Sequence, residues 1–313
     1  MISVALCTYN GERYIREQLQ SILDQSTPVD EVVIGDDGSN DATLAIIDSF
    51  KDKLPIRILE GSQQRGAIKN FLHTISECHG DIIFLSDQDD IWRADKVETI
   101  IQYFNTHSQI DAVFTDATLI DSEGKILNGN YTLWDYFFDK ISRKRCEMGL
   151  MIEEFCASAH ATGATMAFRK HLTARFPNRD DVWHDELIAR LAVASHSLAY
   201  LPEQLICYRV HSSQQIGISP HGPNDGLERD YRMPEMPYSI EDLFFINEED
   251  IRHIHFLEFR CQLKHQILGC ANALMHLSLY RKIYHRHALA FVLFDIKSSF
   301  RHTVRRIVNK FKP

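Results

Sequence analysis

"DIIFLSDQDDIW", residues 81–92, is the stretch whose reading decides the fold. The run Ile82 to Leu85 reads as a buried strand, and it stops abruptly in Asp87, Asp89 and Asp90. Three carboxylates within four residues repel one another, and each resists leaving water. A bare Asp-x-Asp is most often a solvated acidic turn. Here the buried strand before it and a second acidic loop elsewhere favour a functional site. An EF-hand does not fit, because the loop lacks the central glycine and the distant bidentate glutamate.

Working outward, "ISVALC" alternates, with Ile2, Val4 and Leu6 on one face, and ends at the turn pair "NG". "ERYIREQLQSILDQ" places Ile15, Leu19, Ile22 and Leu23 at helical spacing. "EVVIG" is a second short strand stopped by "DDGSND", and "ATLAIIDSF" is a second helix. "IRILEG" reads as a strand and "GAIKNFLHTISEC" as a helix with Ile68, Leu72 and Ile75 inward, before the opening strand itself. Strand and helix alternate with short connections, which predicts βαβ units and a mainly parallel sheet covered on both faces. Right-handed crossovers put the loops after the strands on one edge, where open α/β sheets bind ligands. Those loops, "TYNGE", "DDGSND", "EGSQQRG" and "SDQDD", are rich in polar residues where the fold rule expects a site.

Beyond residue 110 the alternation loosens. "AVFTDATLI" and "GATMAF" are expected strands, "HDELIARLAVASH" a helix and "SLAYLPEQLICYRV" a further strand region. From about 215 to 250 the chain is rich in Pro, Gly and acids, as a linker or excursion would be, and the last sixty residues have a helical pattern. No internal repeat is evident.

At 313 residues the chain has room for one large domain or two ordinary ones, and 44% hydrophobic with 25% charged residues places it among globular proteins. A formal charge of -9 argues against indiscriminate nucleic-acid binding. Seven cysteines without a CxxC pair fit reduced thiols. The opening "MISVALCTYN" lacks the pattern of a secretory leader, and no apolar run approaches the ~20 residues of a bilayer span. The expected location is the cytosol, with peripheral contact at the inner face of the membrane left open.

Gathered carboxylates become favourable when a divalent cation supplies the missing charge. Mg²⁺ or Mn²⁺ is the expected kind, content with one or two carboxylates plus substrate phosphates. Side-chain alternation would let Asp87 and Asp89 point to one side.

Taken in order, "VALCTYNGERYIREQLQSILDQ", "EVVIGDDGSND", "QRGAIKNF" and "FLSDQDDIWRADKVE" resemble the nucleotide-sugar-binding half of the family 2 glycosyltransferases, with the bacterial rhamnosyltransferase-like branch as the nearest match. The likeness extends through "ATGATMAFRK", "WHDELIARLA" and "CYRVHSSQQIG", covering roughly residues 1–217. It implies an α/β, Rossmann-like glycosyltransferase A fold, with residues 1–110 for the nucleotide sugar and 111–217 for the acceptor side and the base. Residues 218–313 would be a linker and a helical C-terminal region. The GxGxxG fingerprint is absent, as that fold implies. By this resemblance Thr8, Tyr9 and Asn10 surround base and ribose, Asp37 contacts the base with Asp36 secondary, and Arg65 and Asn70 belong to a further donor-binding stretch. Asp89 becomes the direct metal ligand, and Asp87 serves the ribose or a water held by the metal.

Transfer to a hydroxyl needs a group to accept its proton, a role suited to a shielded carboxylate. The resemblance assigns it to Asp185 in "HDE", with Glu186 as substitute; a helix-capping role suits Asp185 too. His211 matches a position near the metal or diphosphate and is equally readable as a surface histidine. Arg209 fits a phosphate clamp or a structural ion pair, Trp183 an acceptor platform or core, and "YTLWDYFF" (131–138) the same two roles with packing favoured.

From Lys297 to Lys312, six Lys or Arg residues and no acid interleave with Phe300, Val304, Ile307, Val308 and Phe311. Such a helix can lie in an anionic membrane interface, or pack on its own domain or a second copy of the chain. The expected activity is a metal-dependent, inverting transfer of a sugar from a nucleoside diphosphate to a bacterial polysaccharide or lipid-linked glycan, of the kind that builds O-antigen and cell envelope. Rhamnose from dTDP-rhamnose is the leading donor by resemblance alone. Two rivals remain: a non-catalytic nucleotide-sugar-binding assembly protein, and a sugar-phosphate nucleotidyltransferase, against which the missing glycine-rich basic loop counts.

Overall fold

The computed structural model describes residues 1–59, 66–127, 131–138, 143, 146, 161–176, 182–195, 197–212, 214 and 218. All of these belong to the first of two units into which the chain divides, Met1–Phe245 and Ile246–Pro313. Arg65, the C-terminal helical region and the basic tail lie outside the described residues.

The predicted order is present. β1 (Ile2–Thr8), α1 (Ile15–Leu23), β2 (Glu31–Asp36), α2 (Thr43–Asp48), β3 (Ile56–Ile58), α3 (Ala67–Ser76) and β4 (Ile82–Ser86) follow one another as three crossovers. Then come β5 (Ile91–Trp92), α4 (Lys96–Thr106), β6 (Ala112–Ile120), α5 (Leu133–Phe137), β7 (Met166–Arg169), α6 (His184–Ala194) and β8 (Leu198–Arg209). The sheet runs β3-β2-β1-β4-β7-β6-β8-β5.

The first four strands pair wholly in parallel. β7 is inserted antiparallel to both β4 and β6, so two reversals return β6 and its parallel partner β8 to the direction of β1. The carboxyl ends of both halves therefore open on one edge. β5, which the periodicity did not reveal, turns back from β4 and pairs antiparallel with β8, Ile91 opposite Cys207 and Trp92 opposite Ile206. That two-residue strand lays the "DQDD" turn against the end of β8.

Alternation in β1 predicted one buried face, but Ser3, Val4, Ala5 and Leu6 are all fully buried. Helices cover both sides of a parallel sheet, so its central strands meet no water. α3 packs on β1 and β2, with Thr74 against Cys7 and Asn70 on the Gly35 carbonyl. Gly35 permits the close approach, since a Cβ there would stand 2.1 Å from Thr74 Oγ1 and 2.5 Å from Asn70 Oδ1. The stretch around α5 is core: Trp134 stacks on Tyr200 at 3.7 Å and tilts against Phe114 at 5.6 Å.

At the opposite edge, Glu31 ties three segments. Ser3 Oγ donates to it at 2.5 Å, the His79 amide and ring bind it, and Arg57 lies 3.7 Å away. Burial alone would push this carboxyl up; the Ser3 and His79 hydrogen bonds and the His79 charge outweigh that and bring it down to about 2. A carboxyl below its unfolded value stabilises the fold above that value and loses the contribution as pH falls through the folded one. Glu31→Gln is therefore expected to be less stable than the wild type by a constant margin in urea unfolding above about pH 5. The margin should close as the pH falls from 4.5 toward 2.

Candidate active site

The loops after β1, β2 and β4 are stitched together by their own backbone. Gln88, at the centre of "DQDD", accepts from Thr8 Oγ1 at 2.7 Å and from the Tyr9 amide at 2.9 Å, and its Nε2 donates to Tyr9 O at 3.2 Å. The Asn10 amide donates to Ser39 Oγ at 2.8 Å, and Asn10 Oδ1 accepts from the Asn40 amide at 2.9 Å. Asn10 takes φ 47°, a left-handed conformation that asparagine tolerates better than most side chains. Gly11 is closed in by Gln88, whose Oε1 would stand 2.3 Å from an added Cβ. The outcome is a rigid rim on which Tyr9 and Asn10 are exposed while Thr8 is 3% exposed.

The two acids of "DDGS" separate in role. Asp36 is buried and builds the turn, accepting from the amides of Gly38 and Ser39 at 3.1 and 2.9 Å and from Ser39 Oγ at 2.5 Å. Asp37 stays partly exposed and accepts from the Gly66 amide at 3.0 Å. Asn70 lies 2% exposed beneath this loop, donating to the Gly35 carbonyl at 2.7 Å. Its position is a support for the loop and not an open wall of the cleft.

Across the edge, the "DQDD" turn is pinned by the end of β8. The Arg209 amide donates to Asp90 Oδ1 at 2.9 Å and its Nε to the Asp89 carbonyl at 2.7 Å. Its guanidinium pairs with Glu17 at 2.5 Å and lies 4.6 Å from the Tyr14 ring centre. Arg209 is 1% exposed, so of the two roles expected for it the structural pair is the one formed. Two residues on, His211 Nε2 meets Asp89 Oδ2 at 2.9 Å, and its ring leans on Tyr14 at 4.8 Å.

Asp185 stands in the first turn of α6, its Oδ2 accepting from the Gly163 amide at 3.1 Å and its Oδ1 from the Glu186 amide at 2.8 Å. Glu186 pairs instead with the buried Arg190 at 2.5 Å, which leaves it poorly placed as a substitute. His184 is buried and stacks on Phe71 at 3.8 Å. A Cβ at Gly163 would meet His184 Nε2 at 2.8 Å and Asp185 Oδ2 at 3.5 Å, so glycine is needed there for α6 to come this close.

Electrostatics show that these acids share one place. Asp87 keeps some surface at the cleft but lies deep, and burial first, then the charges of Asp89 and Asp185, push its carboxyl up to about 7. Asp90, 1% exposed with Oδ2 unbonded, is pushed well up by burial, Asp89 and Asp87. The buried Tyr208 hydroxyl is raised by burial first and then by the charges of Asp90, Asp87, Asp89 and Asp185. Tyr208, Gln88, Gly163 and Lys96 were not singled out from the sequence. Only Gln88, framed by acids at a strand end, offered a local sign.

Among the described residues, no three His, Cys, Asp or Glu side chains are grouped to hold an ion alone. Asp89 and His211 offer one oxygen and one nitrogen in mutual contact, a donor pair suited to a divalent cation whose other positions are filled by phosphate oxygens and water.

Comparison with known proteins identifies the family and the fold. The profile of the family described as Glycosyl transferase family 2 matches residues 3–173. An uncharacterized glycosyltransferase of Haemophilus influenzae is 26% identical over 236 residues, 73% of this chain and 71% of that protein. The dTDP-rhamnosyl transferase RfbG of Shigella flexneri is 29% identical, over 68% of this chain and 73% of its own. Among solved structures, S. aureus TarS 1-349 in complex with UDP-GlcNAc superposes with a TM-score of 0.55 at 16% identity, covering 97% of this chain and 91% of that one. That likeness shows the α/β glycosyltransferase A fold. Its sheet, its site and its sequence relatives converge: the chain belongs to glycosyl transferase family 2 and is a glycosyltransferase.

Proposed function

We propose that the protein transfers a sugar, with inversion, from a nucleoside diphosphate to a hydroxyl of a bacterial polysaccharide or lipid-linked glycan. The observation that carries this reading is the contact of Asp89 with His211 at the carboxyl edge of the sheet, where the charges of Asp89 and Asp185 both act on Asp87. Tyr9, exposed on the rim, would lie against the base, with Asn10 and Asp37 beside it and Asp36 and Asn70 holding their loop. Arg65, assigned to the same stretch by resemblance, lies outside the described residues.

Asp89 and His211 would hold Mn²⁺ or Mg²⁺, which when bound offsets the charge of the departing diphosphate. Asp87, bearing a raised carboxyl beside them, can share a proton or hydrogen bond with the donor's ribose. Asp185 takes the proton of the acceptor hydroxyl as its oxygen bonds to the anomeric carbon and the bond to the diphosphate breaks. Displacement in line inverts the anomeric centre and needs no enzyme nucleophile. The Gly163 amide fixes one oxygen of Asp185, leaving the carboxylate's remaining lone pairs for the proton.

Rhamnose from a dTDP donor is favoured by the RfbG relative, whose name specifies that sugar, while the TarS complex names UDP-GlcNAc. A panel of dTDP- and UDP-sugars, assayed for diphosphate release with Mn²⁺ and with Mg²⁺, decides between them. In that assay Asp185→Asn should lower kcat by about 10²-fold or more with unchanged thermal unfolding, and Asp89→Ala should abolish the response to added metal. Full activity in either variant would overturn the assignment. Gly163→Ala, which forces His184 and Asp185 aside, is expected to lower kcat about tenfold or more while raising the donor KM little, as measured by initial rates.

A further inference from the structure

Lys96, the first residue of α4, is fully buried. Lysine is among the residues least often found so, because an ammonium loses its hydration there. Its Nζ donates to the Ala164 carbonyl at 2.9 Å and stands 4.0 Å from the centre of the Trp92 ring. Its charge acts on Asp90 and Asp87 from inside the sheet. Ala164 follows Gly163, whose amide holds Asp185. Hydrogen bonds thus run from the Lys96 ammonium to the 3-10 turn Gly163–Thr165 and on to the carboxylate of α6, while its tie to the acidic turn after β4 is through charge alone.

We infer that Lys96 is a positioning residue that fixes the acceptor-side carboxylate relative to the donor-side acids. The inference rests on the proposed role of Asp185. Arg209 does not duplicate this link, because it anchors the "DQDD" turn to β8 and Glu17 while nothing in its contacts reaches the Gly163 turn. Three features together are what a connecting cation requires and a packing residue does not. The ammonium has a carbonyl at one end, two carboxylates within its field, and an aromatic face in place of water. A helix-surface lysine swept into the core by chance would have none of them.

The test uses the full chain, and its first readout does not depend on knowing the donor. Lys96→Met keeps the length and apolar stem of the side chain and removes the ammonium; Lys96→Gln retains a donor. Hydrogen–deuterium exchange read by mass spectrometry should show peptides spanning residues 161–169 exchanging at least about tenfold faster in Lys96→Met, with those of β1 and β2 unchanged. The same variant should release dTDP from dTDP-rhamnose at least about tenfold more slowly at saturation, with KM within about threefold. Lys96→Gln should recover part of both. Unchanged exchange at 161–169 would overturn the inference. So would loss of protection throughout the fold in both variants, since Lys96 would then serve the core as a whole. An inactive wild type would count against the rhamnose donor, and an active Asp185→Asn against the base; neither would alter the exchange result.

Discussion

The structure depends on keeping four carboxylates together at the edge of a hydrophobic sheet. At an effective dielectric near 20, two unit charges about 4 Å apart cost about 4 kcal/mol, so such a group survives only with compensation built around it. Arg209 supplies part of it from the cleft side, through the backbone of Asp89 and Asp90. Lys96 supplies another part from within the sheet. The competition is visible on Lys96 itself: burial pushes its ammonium down to about 7 although Asp90 and Asp87 oppose that. Asp87 and Asp89 keep some surface, Asp89 against His211.

The topology makes this concentration possible. Parallel strands send β1, β2 and β4 to one edge, and the antiparallel insertion of β7 lets β6 and β8 end there too. β5 then folds the acidic turn onto β8 so that His211 reaches Asp89. α6 brings Asp185 to the same place because Gly163 leaves room for His184 beneath it. The acidic turn after β4 and Asp185 of α6 therefore come from distant parts of the chain, and their charges act on one another.

Much of the first half was legible because its signals are local. The apolar runs at 2–7, 31–35 and 82–86 and the polar loops after them specify strands and an active edge without reference to distant residues. Asp87, Asp89 and Asp90 could be named for the same reason, whereas Asp185 was assigned by the family resemblance. What stayed hidden depends on pairing between distant segments. Lys96 reads in sequence as an ordinary solvated residue at a helix start, and only the fold shows it under Trp92 and Ala164. Asp36 and Asp37 are neighbours with like chemistry, yet one is buried closing a turn and the other stays partly exposed, a difference set by Ser39, whose amide and hydroxyl both donate to Asp36. β5 is two residues long, too short for any period, and the place of β7 between β4 and β6 has no sequence sign at all.

The central claim is that the acids of the cleft tolerate one another because a divalent cation joins them to the donor's diphosphate. Calorimetric titration of dTDP and of UDP into the protein, once with Mn²⁺ and once with excess chelator, tests it most directly. The expected result is that at least one of the two nucleotides binds with Mn²⁺ present and about tenfold or more weaker without it. Equal binding in both conditions would contradict the claim.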